Sequence, residues 1–443
     1  MDSAQRERLA REILQRSRAD ETEVLVASSD SALTRFTHEA SNQNVASDAT
    51  EVSVRAIVGG RTGVASASAF DAPGLETLAR QATTMARLAP ADPHQPRLPA
   101  GKPSVAPAGS FFPATASASP EVRARMCDAL FSAAESGGCW SAGFVSTSSF
   151  GITVANTSGA LSSFDGTDGG INVKMIAGSS SGWAEMHCSD VGEIDASAVA
   201  SRAVRKANDG AEPQSVEPGA WTVILEPAAF GEMLAYLMGH FSAQRYDEGS
   251  SFCSDGLDRT YLGENVTIED DYANPLAPSM PFDFEGYPTQ RVTLVDCGVV
   301  KNVVTDSYYA SKLGRANTGH ALPAPNAAGP QPLHVVVAPG DVSVEELVAQ
   351  TQRGLLVTRF WYIRTVDEKH AIITGMTRDG TFLVENGRVT RGVRNLRFNV
   401  SILEALRRCT FSRQRLRTSS YGYGIVVPAA RIERFTFTSV TEF

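Results

Sequence analysis

The first candidates for chemistry lie in the stretch PAAFGEMLAYLMGHFSA, residues 227 to 243, where Glu232, Tyr236 and His240 recur at every fourth position. On a helix that spacing puts a carboxylate, a phenol and an imidazole in one stripe. Three roles suit such a stripe. The groups can hydrogen-bond one another or a neighbouring loop, as buried polar groups normally do. They can line a cleft and touch a substrate. They can also contribute to a metal site, but a stable zinc ion takes three or four ligands, and the stripe offers one good nitrogen and one carboxylate. The structural reading leads.

Other candidates are spread along the second half. Asp283 and Glu285 in FDFEGYPTQR stand two apart, which on a strand turns both carboxylates to one face. An acid/base pair needs two different environments, so a structural turn comes first and a place in the cleft second. Asn317 and His320 in NTGHA belong to a glycine-containing loop and are candidates for the cleft. His38 and Glu39 in THEASNQN form neither HExxH nor HExxxH and read as a turn or strand-edge pair. The serines of GSSSG and RYDEGSS lack the strand–elbow–helix context of a G-x-S-x-G nucleophile.

The elements that must position these residues predict an α+β fold. A charged amphipathic helix opens the chain, followed by alternating β-rich runs, a helix over LETLARQATTMARLA, a Pro/Ala-rich excursion at about 90–120, another helix, further strands and a helix near DASAVASRAVRKAND. The polar, Pro- and Gly-rich GAEPQSVEPGA marks a boundary, giving an N-terminal α+β domain at 1–210 and a C-terminal domain at 211–443. The second is mainly antiparallel β with a few helices, suited to a barrel or strongly curved sheet. It includes a hairpin turning at Cys297-Gly298 and a helix over VSVEELVAQTQRG with Gly354 at its end.

Composition excludes several classes. A net charge of -9 over 443 residues with no basic motif argues against nucleic-acid and anionic-membrane binding. No apolar run approaches the roughly 20 residues of a membrane helix, and the N-terminus is not a signal peptide, so a cytoplasmic location is expected. Six cysteines without a CxxC pair point to reduced thiols rather than a zinc ribbon or a disulfide framework.

Several segments in order resemble the TldD/PmbA family of bacterial metallopeptidase subunits: FDFEGYPTQR, DSYYASKLG, NTGHA, VEELVAQTQRGLLVT and FLVENGRV, with NQNVASDATEVSVRAIVGGRTGVASAS in the first half. The resemblance implies that catalytic members carry a His-Glu-x-x-x-His motif ending in Gly-His, with two zinc-binding histidines and a glutamate base. Laid on this chain, Gly239-His240 matches the end of that motif, Ala235 stands at the first histidine and Tyr236 at the glutamate. The third zinc ligand is a cysteine in a glycine-rich segment, and the matching TSSYGYGIVVP has none, with Cys409 well upstream. The pattern is that of the PmbA (TldE) type, which implies a subunit without metal or cofactor of its own. It would pair as a heterodimer with a zinc-bearing TldD-type subunit around a chamber for an extended peptide. The alternatives are a scaffold recruited to cleave a peptide-like or amide-bearing small metabolite, and a homodimeric non-catalytic binding protein.

Overall fold

The computed structural model describes residues 1–68, 71–101, 104–277 and 280–441. The first half builds a six-stranded antiparallel sheet in the order β3-β2-β1-β4-β5-β6, from β1 Glu21–Thr37, β2 Ala40–Val58, β3 Arg61–Ala67, β4 Trp140–Asn156, β5 Leu161–Ala177 and β6 Ser180–Cys188. Alternation sends Val24 and Val26 of β1, Val145 of β4 and Ile171 and Val173 of β5 to one face. That face is covered by α1 Ser3–Arg16, α2 Ala72–Leu88, α4 Pro120–Ser136 and α5 Ala196–Asp209, with α3 Pro113–Ala116 a single turn between α2 and α4. Asp2 caps α1 through a capping box with Gln5, and Asp71 caps α2. Close approach of α2 to β3 requires Gly63, where a β-carbon would stand 2.2 Å from the Ala86 nitrogen.

His38 and Glu39 form the two-residue turn between β1 and β2, with φ of 50° and 55°, the left-handed pair such hairpins use. His38 stacks on Trp140 and the Glu39 carboxylate accepts from the Ser141 N–H. The Pro/Ala-rich stretch is tied to the sheet: Ser110 O accepts from Thr167 N and Pro99 O accepts from Asn156 Nδ2, each at 2.9 Å. Residues 102–103 within it lie outside the described residues.

The second half closes a barrel, as the strand pattern predicts. β7 Gly219–Leu225 lies between the strands Arg353–Asp367 and Ile425–Val440; Ile425–Val440 pairs with Leu396–Ser401, which pairs with Ile372–Glu385, which returns to Arg353–Asp367. Phe360, Phe398, Phe435 and Phe437 pack on one another in its core. α6 Pro227–Met238 follows β7 directly and packs against the barrel strands through Phe230, Met233, Leu234, Leu237 and Met238.

The Cys297-Gly298 hairpin forms as expected. The expected helix end at Gly354 does not. That helix stops at Ala349, and Gly354 lies within the strand Arg353–Asp367 opposite Val384. A β-carbon there would meet the Thr222 carbonyl oxygen at 2.7 Å, so the glycine serves close strand packing rather than a helix cap.

Candidate functional site

The stripe on α6 faces the barrel strand Arg353–Asp367. Glu232 accepts a 2.6 Å hydrogen bond from Phe360 N and pairs with Arg359 at 3.3 Å. Burial pushes its carboxyl up to about 7, against the pull of Arg359 and the Phe360 N–H. One turn on, the Tyr236 hydroxyl donates to the Ile363 carbonyl at 2.8 Å. His240 lies past the helix end, 1% exposed and packed on Phe252. Burial first, then the charge of Arg245, pushes its imidazole down to about 4, and its Nδ1 has no hydrogen-bond partner among the described residues. Glu232 and Tyr236 thus meet the strand from successive turns of α6, while His240, in the 3-10 turn Gly239–Phe241, packs on a ring.

Ala235 and Tyr236 form part of the wall of an open cavity of about 790 Å³. Its other walls come from distant segments: Gln244, Arg245 and Glu248 just past α6, Gln331 and Leu333, Thr365 and Glu368, and Tyr421 with Gly422. The loop carrying Tyr421 is the segment that resembles the family's third-ligand stretch, and it packs on α6 so closely that a β-carbon on Gly231 would stand 2.5 Å from Thr418 Oγ1. The cavity residues outside α6 and this loop carried no motif, because single residues scattered from Gln244 to Glu368 become neighbours only through the fold.

The donor set does not fit a zinc ion. Ala235 offers a methyl group, the Tyr236 hydroxyl is committed to Ile363, the loop at 418–424 has no cysteine, and only His240 remains. Among the described residues no three His, Cys, Asp or Glu side chains converge as a metal cluster.

Asp283 and Glu285 do not lie on a strand; they occupy a tight turn closed by Asp283 N to Tyr287 O, with Gly286 at φ 74°. The Asp283 carboxylate accepts from the N–H groups of Glu285, Tyr287 and Ala321, while burial and then the Glu285 charge hold its pKa well above the usual range. Glu285 points the other way, to Arg55 of β2 at 3.1 Å and to the Ser307 N–H. Arg55 also holds Glu23 of β1 at 2.7 Å, so one guanidinium serves two buried carboxylates from the two halves of the chain. Asn317 bonds Ser307 Oγ and Gly319 N. His320 is buried, its Nε2 3.1 Å from Asp270 and its Nδ1 2.9 Å from Thr318 O; His334 Nδ1 meets the same Asp270 oxygen at 3.2 Å. No helix among the described residues is long and apolar enough to cross a membrane.

A family model for the PmbA/TldA metallopeptidase C-terminal domain matches residues 218–439. Metalloprotease PmbA of Escherichia coli O157:H7 is 30% identical over 161 residues, 35% of this chain and 33% of that protein. A metalloprotease TldD homolog of Haemophilus influenzae is 24% identical over 225 residues, 49% of this chain and 45% of that protein. In sequence the chain therefore spans less than half the length of these curated relatives. The crystal structure of TldE from Thermococcus kodakarensis superposes with a TM-score of 0.89 at 20% identity, covering 98% of this chain and 99% of the other, so the fold is shared from end to end.

Proposed function

Because this chain belongs to the PmbA/TldA metallopeptidase family, we propose that it is a TldE-type, zinc-free subunit that pairs with a zinc-bearing TldD-type chain and supplies walls of a chamber in which extended peptides are cut. The observation that carries this reading is the wall of the α6 cavity, where Ala235 and a hydrogen-bonded Tyr236 stand at the positions that the resemblance assigns to a zinc ligand and the general base. A phenol donating to a backbone carbonyl is a poor acceptor for a proton from metal-bound water. The pocket keeps its space and loses its chemistry. Zinc belongs to the partner in this reading, and the peptide is held largely by main-chain hydrogen bonds, which suits tolerance of sequence.

Co-expression with a tagged TldD-type chain tests it. The expected result is a stoichiometric complex that holds zinc and cleaves unfolded peptides, with neither chain active alone. A chain that stays alone in the presence of every such relative of its own genome, or that cleaves peptides by itself, overturns the reading.

A further inference from the structure

The face of the six-stranded sheet opposite the helices carries polar side chains in register at its β4–β6 end. Ser146, Gly170 and His187 are cross-strand neighbours on β4, β5 and β6, and Asn172 and Glu185 form the adjacent row on β5 and β6. Side chains two apart on a strand share a face, and the intervening Val145, Ile171, Val173 and Ala184 all point into the helix-covered core. The barrel side closes this corner: Ser419 Oγ donates to Glu185 Oε2 at 3.1 Å, and Arg417 pairs with Asp168 at 2.7 Å.

His187 Nε2 lies 3.0 Å from Glu185 Oε2. A carboxylate only accepts, so Nε2 carries the proton and Nδ1 presents a lone pair. A β-carbon on Gly170 would stand 2.8 Å from His187 Nδ1 and 3.1 Å from Ser146 Oγ. Both atoms therefore flank the same bare backbone from opposite sides without bonding each other, and only glycine leaves the space between them open. The Ser146 hydroxyl and the Asn172 carboxamide have no protein hydrogen-bond partner among the described residues.

We propose that Ser146, His187, Glu185 and Asn172 form an acyl-transfer site for small carboxylic esters or thioesters, separate from the α6 cavity. Ser146 Oγ attacks the carbonyl carbon and its proton passes to His187 Nδ1 through one water in the space over Gly170. The alcohol or thiol leaves with that proton, and the acyl group stays on Ser146. Water then gives a proton to the same nitrogen, attacks the acyl-serine and releases the carboxylic acid, returning the proton to Ser146. Glu185 holds the imidazole and stabilises its cation. The Asn172 carboxamide, on the row beside Gly170, offers an N–H donor for the oxyanion, and one such donor suits esters and thioesters, whose leaving groups depart more readily than an amide nitrogen.

The full-length chain treated with a fluorophosphonate probe, followed by mass spectrometry of the labelled peptide, tests the site without any partner subunit. Label is expected on Ser146, absent in Ser146→Ala, and slowed roughly 10²-fold or more in His187→Asn, with hydrolysis of p-nitrophenyl acetate falling in parallel. His187→Gln serves if His187→Asn lowers the melting temperature, and Glu185→Gln is expected to give a smaller loss with a shifted pH profile. Absence of label on Ser146 of the wild-type chain, or a labelling rate indifferent to both His187 variants, overturns the proposal and leaves the zinc-free subunit reading standing.

Discussion

The Tyr236 hydroxyl caps a bulge, donating at 2.8 Å to the carbonyl of Ile363. The register of the barrel strands shifts between Trp361 and Arg364, with Tyr362 at φ 55°. An extra residue in a strand leaves its backbone groups outside the ladder, and a buried carbonyl without a donor is costly. Tyr236 supplies that donor, helped by Arg364 Nη1 at 2.7 Å. Tyr236 thus has a structural task.

Tyr236→Phe is therefore expected to cost about 1 kcal/mol of unfolding free energy, since Arg364 still serves the carbonyl. Urea denaturation checks this, and in the complex with a TldD-type chain the same variant is expected to leave peptide cleavage within about twofold, a change of under roughly 0.5 kcal/mol in barrier.

The Glu23–Arg55–Glu285 cluster predicts an alkaline loss of stability. Burial, against the charge of Arg55, raises the Glu23 carboxyl to about 7. A carboxyl raised on folding binds its proton more tightly in the native state, so its contribution is full below its ordinary pKa and is lost as pH rises through 7. Glu23→Gln is expected to flatten the fall in melting temperature between pH 5 and 8. Arg55→Met, which leaves two buried carboxylates unpaired, is expected to cost roughly 3–5 kcal/mol near neutral pH.

Asp270 predicts the opposite, acid-side dependence. Burial alone would raise its carboxyl, but His320 and His334 against it, with their hydrogen bonds, hold it well below the usual range. Such a group stabilises the fold above its unfolded pKa and loses that contribution as pH falls. Asp270→Asn is expected to lower the melting temperature at pH 7 and to narrow its gap from wild type on acidification, followed by calorimetry.

Gly231→Ala separates helix propensity from packing. Alanine is favoured over glycine inside a helix by about 1 kcal/mol, yet the new methyl would stand 2.5 Å from Thr418 Oγ1 and 3.1 Å from Ser420 Oγ. Because Thr418 is buried and itself hydrogen-bonded, the loop must move, so a net loss of about 1–3 kcal/mol is expected. Urea denaturation reads the loss, and hydrogen exchange is expected to rise at residues 418–424.

Local periodicity made much of this protein legible in its sequence. The 3.6-residue repeat placed Glu232 and Tyr236 on one face of α6, and the two-residue repeat announced the barrel strands. Such features depend on residues within a turn or two of each other. Tertiary structure decided the rest. Arg55 and Glu285 meet across 230 positions, Gly354 belongs to a strand because β7 passes against it, and Ser146 and His187 share one row only because β5 pairs Gly170 with both. Strand register and long-range ion pairs depend on which distant surfaces pack together, a choice that the whole core makes and no single segment encodes.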